Sequence, residues 1–150
     1  MQQLKILNKK EIKKLLELIK NQWGFKEELD YAFLINKKDK VYIINSDIKN
    51  IDLEKLKIDS IGLYFGENIK GEFRLSIEGS QIIGPHAVKN ITEIDEKEKK
   101  EWLRGNDLVK ELKGENGFII IKSNEDYLGC GKYREGKTLN YIPKARRLTI

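Results

Sequence analysis

GFIIIKSNEDYLGCGKYREGKTLNYIP, residues 117–143, reads as three strands and two turns. Gly117 to Ile121 is a continuous apolar run of the kind a buried strand shows. Asn124, Glu125 and Asp126 turn the chain into Tyr127–Tyr133, and Glu135-Gly136 turns it again into Thr138–Ile142. Three short strands joined by tight turns predict a small barrel. Gly129-Cys130-Gly131 lies between strands and opens no helix, so it is read as room for a bend or a close backbone approach, not as a dinucleotide loop.

Working upstream, Glu96–Arg104 has the polar pattern of an exposed helix, with Glu96/Lys100 and Lys97/Glu101 spaced four apart and Gly105 as its stop. A strand is expected over Val88–Ile94, after a short helix from Gly79 that Gly84-Pro85 ends. Phe73, Leu75 and Ile77 alternate with Arg74, Ser76 and Glu78, which predicts a half-buried strand. With Ile61–Gly66 and a turn at 67–71 it makes a hairpin. Another hairpin joins Ala32–Ile35 to Val41–Ile44 through Asn36–Lys40. Residues 46–57 have a helical start at Ser46 or Asp47 and a ragged apolar face of Ile48, Ile51, Leu53 and Leu56. Near the N-terminus, Asn8 and Glu11 have capping-box spacing. Ile12, Leu15, Leu16 and Ile19 then recur at helical period, up to Gly24. The division between halves is expected near 84–88, and no repeat of 20–50 residues is apparent.

Of the 150 residues, 39% are apolar and 35% charged. No apolar run reaches the roughly 18 residues of a membrane span, and Met1–Lys5 lacks the apolar stretch of a signal peptide. A soluble, cytoplasmic protein is expected. One cysteine, Cys130, and one histidine, His86, leave disulfides, Cys-based zinc sites and catalytic triads without partners. Cys130 is read as a buried small side chain and His86 as a turn residue. Glu27/Glu28 and Asp95/Glu96 are interleaved with lysines, as on solvated faces. The sequence contains no P-loop, HExxH, GxSxG or methyl-donor glycine loop, so no catalytic residue, metal or cofactor is expected.

The net charge of +5 is localised. Residues 131–150 hold Lys132, Arg134, Lys137, Lys144, Arg146 and Arg147 against Glu135 alone, which equals the excess of the whole chain. A smaller excess of +4 lies in residues 1–24, where six lysines face Glu11 and Glu17. Concentrated Lys and Arg beside aromatic rings is the footprint of a nucleic-acid partner. Arg146 and Arg147 suit bidentate phosphate contacts, and Tyr141 or Tyr133 suits stacking on an unpaired base.

Several short elements carry a family resemblance. KEKKEWLRGNDL, residues 97–108, resembles the helix-plus-LRG element of PUA domains, the small RNA-binding barrels of pseudouridine synthases and archaeosine transglycosylases. Residues 117–121 and 127–132 resemble the PUA strand pair that ends in a glycine-rich element. Upstream, SIGLYFG (60–66), EFRLS (72–76) and GPHA (84–87) resemble the Nip-seven-type ribosome-biogenesis factors. LNYIPKARR (139–147) is similar to PUA segments associated with archaeal NOL/NOP/Sun-type RNA cytosine-5 methyltransferases. One departure is that Lys113–Asn116 alone separates the helix region from the Ile119 strand, where many PUA domains carry a further strand. Another is that the chain lacks the Pro-Cys dipeptide of the methyltransferases.

The resemblance implies an α+β protein: an N-terminal α/β domain over 1–85, then a small PUA-like β-barrel over 86–150. It implies a non-enzymatic RNA-binding protein of rRNA or tRNA processing and modification, or of ribosome biogenesis. The alternatives are an RNA-binding subunit or partner of a cytosine-5 methyltransferase, and a module whose N-terminal half docks a ribosome-assembly protein. The family's RNA-contact positions fall on Lys144, Arg146 and Arg147, with Lys132 and Arg134 on the adjacent strand and Tyr141 as a stacking ring. Arg104 and Asn106 lie in the PUA-type loop, where they either cap the turn or touch phosphate.

Overall fold

Asn8 starts the first helix as the spacing predicts. Its side chain accepts from the Glu11 amide at 2.9 Å while the Glu11 carboxylate accepts from the Asn8 amide at 3.0 Å. Helix α1 runs Lys9–Trp23 and ends where Gly24 takes a left-handed conformation (φ 71°). Leu15, Ile19 and Trp23 form its buried stripe; its lysines face solvent.

The computed structural model describes residues 4–45, 62–113 and 117–149. The helix expected over 46–57 lies outside the described residues, as does the start of the strand expected at Ile61. Among the described residues two five-stranded sheets form. The first is an antiparallel meander of β1 (Lys5–Ile6), β2 (Tyr31–Ile35), β3 (Lys40–Asn45), β4 (Leu63–Ile69) and β5 (Glu72–Leu75). Both expected hairpins are present. In the first, the Asn36 side chain accepts from the amides of Lys38 and Lys40, which leaves Asp39 at φ 62°.

One strand is shorter than its alternation predicts. Ser76 ends β5, because its hydroxyl accepts from the Gly79 amide at 2.9 Å and caps helix α2 (Ile77–Ile83). Ile77 and Glu78 are therefore helical. Gly84-Pro85-His86 forms a 3-10 turn that ends α2.

The second sheet contains β6 (Ile91–Glu93), β7 (Leu108–Val109), β8 (Gly117–Ser123), β9 (Asp126–Arg134) and β10 (Lys137–Leu139), in the order β6-β8-β9-β10-β7. All neighbours are antiparallel except β6 and β8. The expected strand at 88–94 is reduced to 91–93, and that at 138–142 to 137–139. Beyond Leu139 the backbone of Asn140 bonds to the Asp107 side chain instead of to a strand. Helix α3 (Glu96–Leu103) carries its own capping box between Asp95 and Glu98. Strand β7 fills the interval after α3 that the sequence left without a strand. The result is a mixed α/β architecture of two sheets, in which β8, β9 and β10 are the three predicted strands.

The sheets share one core. Trp23, Phe33, Phe65 and Phe73 of the first half cluster with Phe118, Ile120 and Cys130 of the second. A satellite core of Ile94, Trp102, Leu108, Ile119, Ile121, Tyr133 and Ile142 lies on the other face of the second sheet. Gln22 joins the halves by polar contacts. Its amide bonds both the N–H and the C=O of Phe73, and its own carbonyl accepts from Asn90 at 2.6 Å. A free β5 edge is thereby paired.

Candidate nucleic-acid interface

Asn140 anchors the start of the C-terminal segment. Asn140 donates from Nδ2 to the carbonyls of Trp102 (2.8 Å) and Asn106 (2.9 Å). Its Oδ1 accepts from the Ile142 amide at 2.8 Å. Trp102, 1% exposed, donates from Nε1 to the Leu128 carbonyl. These bonds tie the α3–β7 loop, β9 and the tail together, and they fix Tyr141 and the 3-10 turn Lys144–Arg146.

From that frame the eight expected RNA-contact residues divide. Lys132, Tyr141 and Arg146 come to the seam between the sheets. Lys132 sits 5.2 Å over the Phe118 ring and pairs with Glu72 at 3.4 Å. The Phe118 and Tyr141 rings are 6.3 Å apart. Arg146 donates from Nη1 to both oxygens of Glu78, one at 2.9 Å.

Arg104, Asn106 and Arg147 gather instead at the α3–β7 loop. Arg104 and Asn106 both bond the Glu101 carboxylate, at 3.1 and 2.6 Å, so they brace the turn. Arg147 lies against Gly105, where a Cβ would come within 2.4 Å of its Cδ, and its Nε donates to the Ile142 carbonyl. Lys144 is exposed on the 3-10 turn, and Arg134 is exposed at the end of β9, opposite Lys137.

Arg74 is the residue that sequence reasoning missed. It projects from β5 so that its guanidinium carbon lies 4.4 Å over the Tyr141 ring. It also reaches Glu67 at 3.4 Å, which in turn accepts from the Tyr64 hydroxyl at 3.4 Å. Lys40 stands 5.9 Å over Tyr64. The alternation of Phe73, Arg74 and Leu75 placed Arg74 opposite the core face, but nothing local indicated which ring it would meet. Burial, and next the Glu67 charge, push the Tyr64 hydroxyl up to about 12, so it stays protonated.

The other candidate groups carry different chemistry. Burial pushes the Cys130 thiol up to about 12, against weaker opposing effects of the Leu75 backbone and Arg74, which makes it a poor nucleophile. His86 lies 3.7 Å from Glu27 and edge-on to Phe25. Among the described residues no three His, Cys, Asp or Glu side chains gather to hold a metal, and no helix is long and apolar enough to cross a membrane.

Residues 89–148 match the family model of the methyltransferase RsmF PUA domain. The C-terminal part of this chain is a PUA domain of the type associated with Sun-type RNA methyltransferases. The chain is similar to the ribosomal RNA small subunit methyltransferase F of Aeromonas salmonicida (strain A449), 29% identical over 90 residues, which is 60% of this chain and 19% of the relative. The protein of the same name from Aeromonas hydrophila subsp. hydrophila is 30% identical over the same shares. That of Vibrio cholerae serotype O1 (strain M66-2) is 24% identical over 92 residues, 61% of this chain and 20% of the relative. The chain therefore spans about a fifth of the curated relatives it matches. A 90-residue likeness is longer than the stretch from residue 89 to the end, so it also reaches upstream of the PUA domain.

Proposed function

We propose that this chain is a non-enzymatic, cytoplasmic RNA-binding protein of rRNA modification or ribosome biogenesis. Its PUA domain binds the RNA, and the N-terminal α/β unit, residues 1–85, supports that surface. The observation that carries the reading is a coincidence: the matched PUA segment contains the six cations that, less the charge of Glu135, equal the chain's net charge of +5. Lys132, Arg134, Lys144 and Arg146 neutralise phosphates, Arg147 and Asn106 shape the adjoining loop with Arg104, and Tyr141 offers a ring. Phosphate neutralisation releases counterions, so affinity falls with salt, by roughly 0.7 in log K per contact per decade for single strands. Titrating a small-subunit rRNA fragment across salt tests this. A log-linear decline of several contacts is the expected result, and a flat line overturns it.

A second reading is favoured by the names of the relatives, which are rRNA methyltransferases of which this chain matches about a fifth. In it the PUA domain serves as the RNA-binding part or partner of a cytosine-5 methyltransferase. Methyl transfer to rRNA that rises when this chain is added to such a catalyst supports this reading, and an unchanged rate counts against it.

A further inference from the structure

A groove of about 210 Å³ opens between the two sheets, lined by Lys40, Tyr64 and Arg74 on one side and by Tyr141, Pro143 and Arg146 on the other. We propose that it holds one unpaired base and the flanking phosphates of a single-stranded RNA, and that Arg74 and Lys40 of the first sheet are part of the RNA surface. The proposal rests on the RNA-binding reading above and extends it to residues outside the matched PUA segment.

Size argues first. Sites that enclose a whole small ligand run to roughly 300–1,000 Å³. This groove is smaller, so it accepts a piece of a longer molecule. Chemistry argues second. Two tyrosine rings each carry a cation close to one face, Arg74 on Tyr141 at 4.4 Å and Lys40 on Tyr64 at 5.9 Å. Rings and guanidinium planes are the surfaces on which unpaired bases stack, whereas a duplex keeps its bases in its own stack. Charge argues third. Lys40, Arg74 and Arg146 line the groove with Glu78 as its acidic lining residue, and Glu67 holds Arg74 from beside it at 3.4 Å. Arg146 is held on Glu78 at a rim where its side chain is 48% exposed. Glu78 is 26% exposed and water still reaches the pair, so a phosphate can compete with the carboxylate for the guanidinium.

The test uses the full chain and a fluorescein-labelled ten-nucleotide oligouridylate, with a duplex of equal charge alongside. The intact protein is expected to prefer the single strand. Arg74→Ala should weaken binding about tenfold or more, the loss of one stacked contact. Arg134→Ala, which removes the same charge outside the groove, should cost roughly twofold to threefold. Arg74→Lys keeps the charge and loses the planar stack, so it should bind nearly as poorly as Arg74→Ala; it also carries the test if Arg74→Ala fails to fold. Equal losses for Arg74→Ala and Arg134→Ala would overturn the groove while leaving RNA binding in place. Polyglutamate that displaces the RNA as well as unlabelled RNA does would make this an acidic-peptide or general anion site, and would also overturn it. Failure of the intact protein to bind any RNA would remove the RNA-binding reading itself, and this one with it.

Discussion

Gly131 in β9 has no room for a side chain. A Cβ there would lie 2.5 Å from Thr138 Cγ2, 2.6 Å from the Leu139 carbonyl and 2.7 Å from Trp102 Cη2. None of these can move easily, because Thr138 is fully buried and Trp102 is tied to the Leu128 carbonyl. Gly131→Ala should therefore destabilise the fold by about 1–3 kcal/mol through overpacking. Urea unfolding checks this, and an unchanged midpoint would mean that the indole moves aside freely. The pattern Gly129-Cys130-Gly131 was legible as close approach, and that is its role at Gly131. Gly129 is different: it takes φ 104°, a left-handed conformation that favours glycine, while its space is open enough for a methyl group. Spacing alone could not separate a glycine required by a neighbour from one required by its own backbone.

At the scale of elements, the helices were the most legible because their ends are written in side chains. Asn8 with Glu11, and Gly24, bound α1 within a residue or two of expectation. Strand ends were less so. The alternation through Ile77 looked continuous, yet Ser76 converts it to a helix with one hydroxyl, and alternation cannot register a cap. The tail is the least legible element of all. Its course depends on Asn140, whose partners Trp102, Asn106 and Asp107 lie more than thirty residues away. Asn140→Ala leaves two loop carbonyls and the Ile142 amide without these partners. It should cost about 1–3 kcal/mol. Because the lost bonds hold Tyr141 and the Lys144–Arg146 turn, the native protein should also be cut faster by trypsin at Lys144, Arg146 and Arg147. Lower stability with unchanged cleavage would show that the tail is held elsewhere, through Leu148 on the Leu103 carbonyl.

For the whole molecule, the seam between the sheets is both the core and the candidate site. The localised charge was legible from composition, but its assembly with Arg74 and Lys40 required the packing of one sheet on the other. The same seam sets how the protein responds to alkali. Cys130, 4% exposed within the shared core, is pushed from an ordinary 9 to about 12, and Tyr64 from 10 to about 12. Each group ionises more readily when the chain is unfolded. Stability is thus intact below pH 9 and declines as pH rises toward 12, because the unfolded chain then binds fewer protons. For Cys130 the slope within that window is about 1.4 kcal/mol per pH unit; Tyr64 adds less, since solvent still reaches it. Cys130→Ala removes the cysteine part and leaves that of Tyr64. Urea midpoints at pH 8 and pH 10.5 should therefore differ less for Cys130→Ala than for the unaltered chain. Identical pH dependence in the two proteins would mean that the thiolate forms in the folded state, and that water reaches the seam at Cys130.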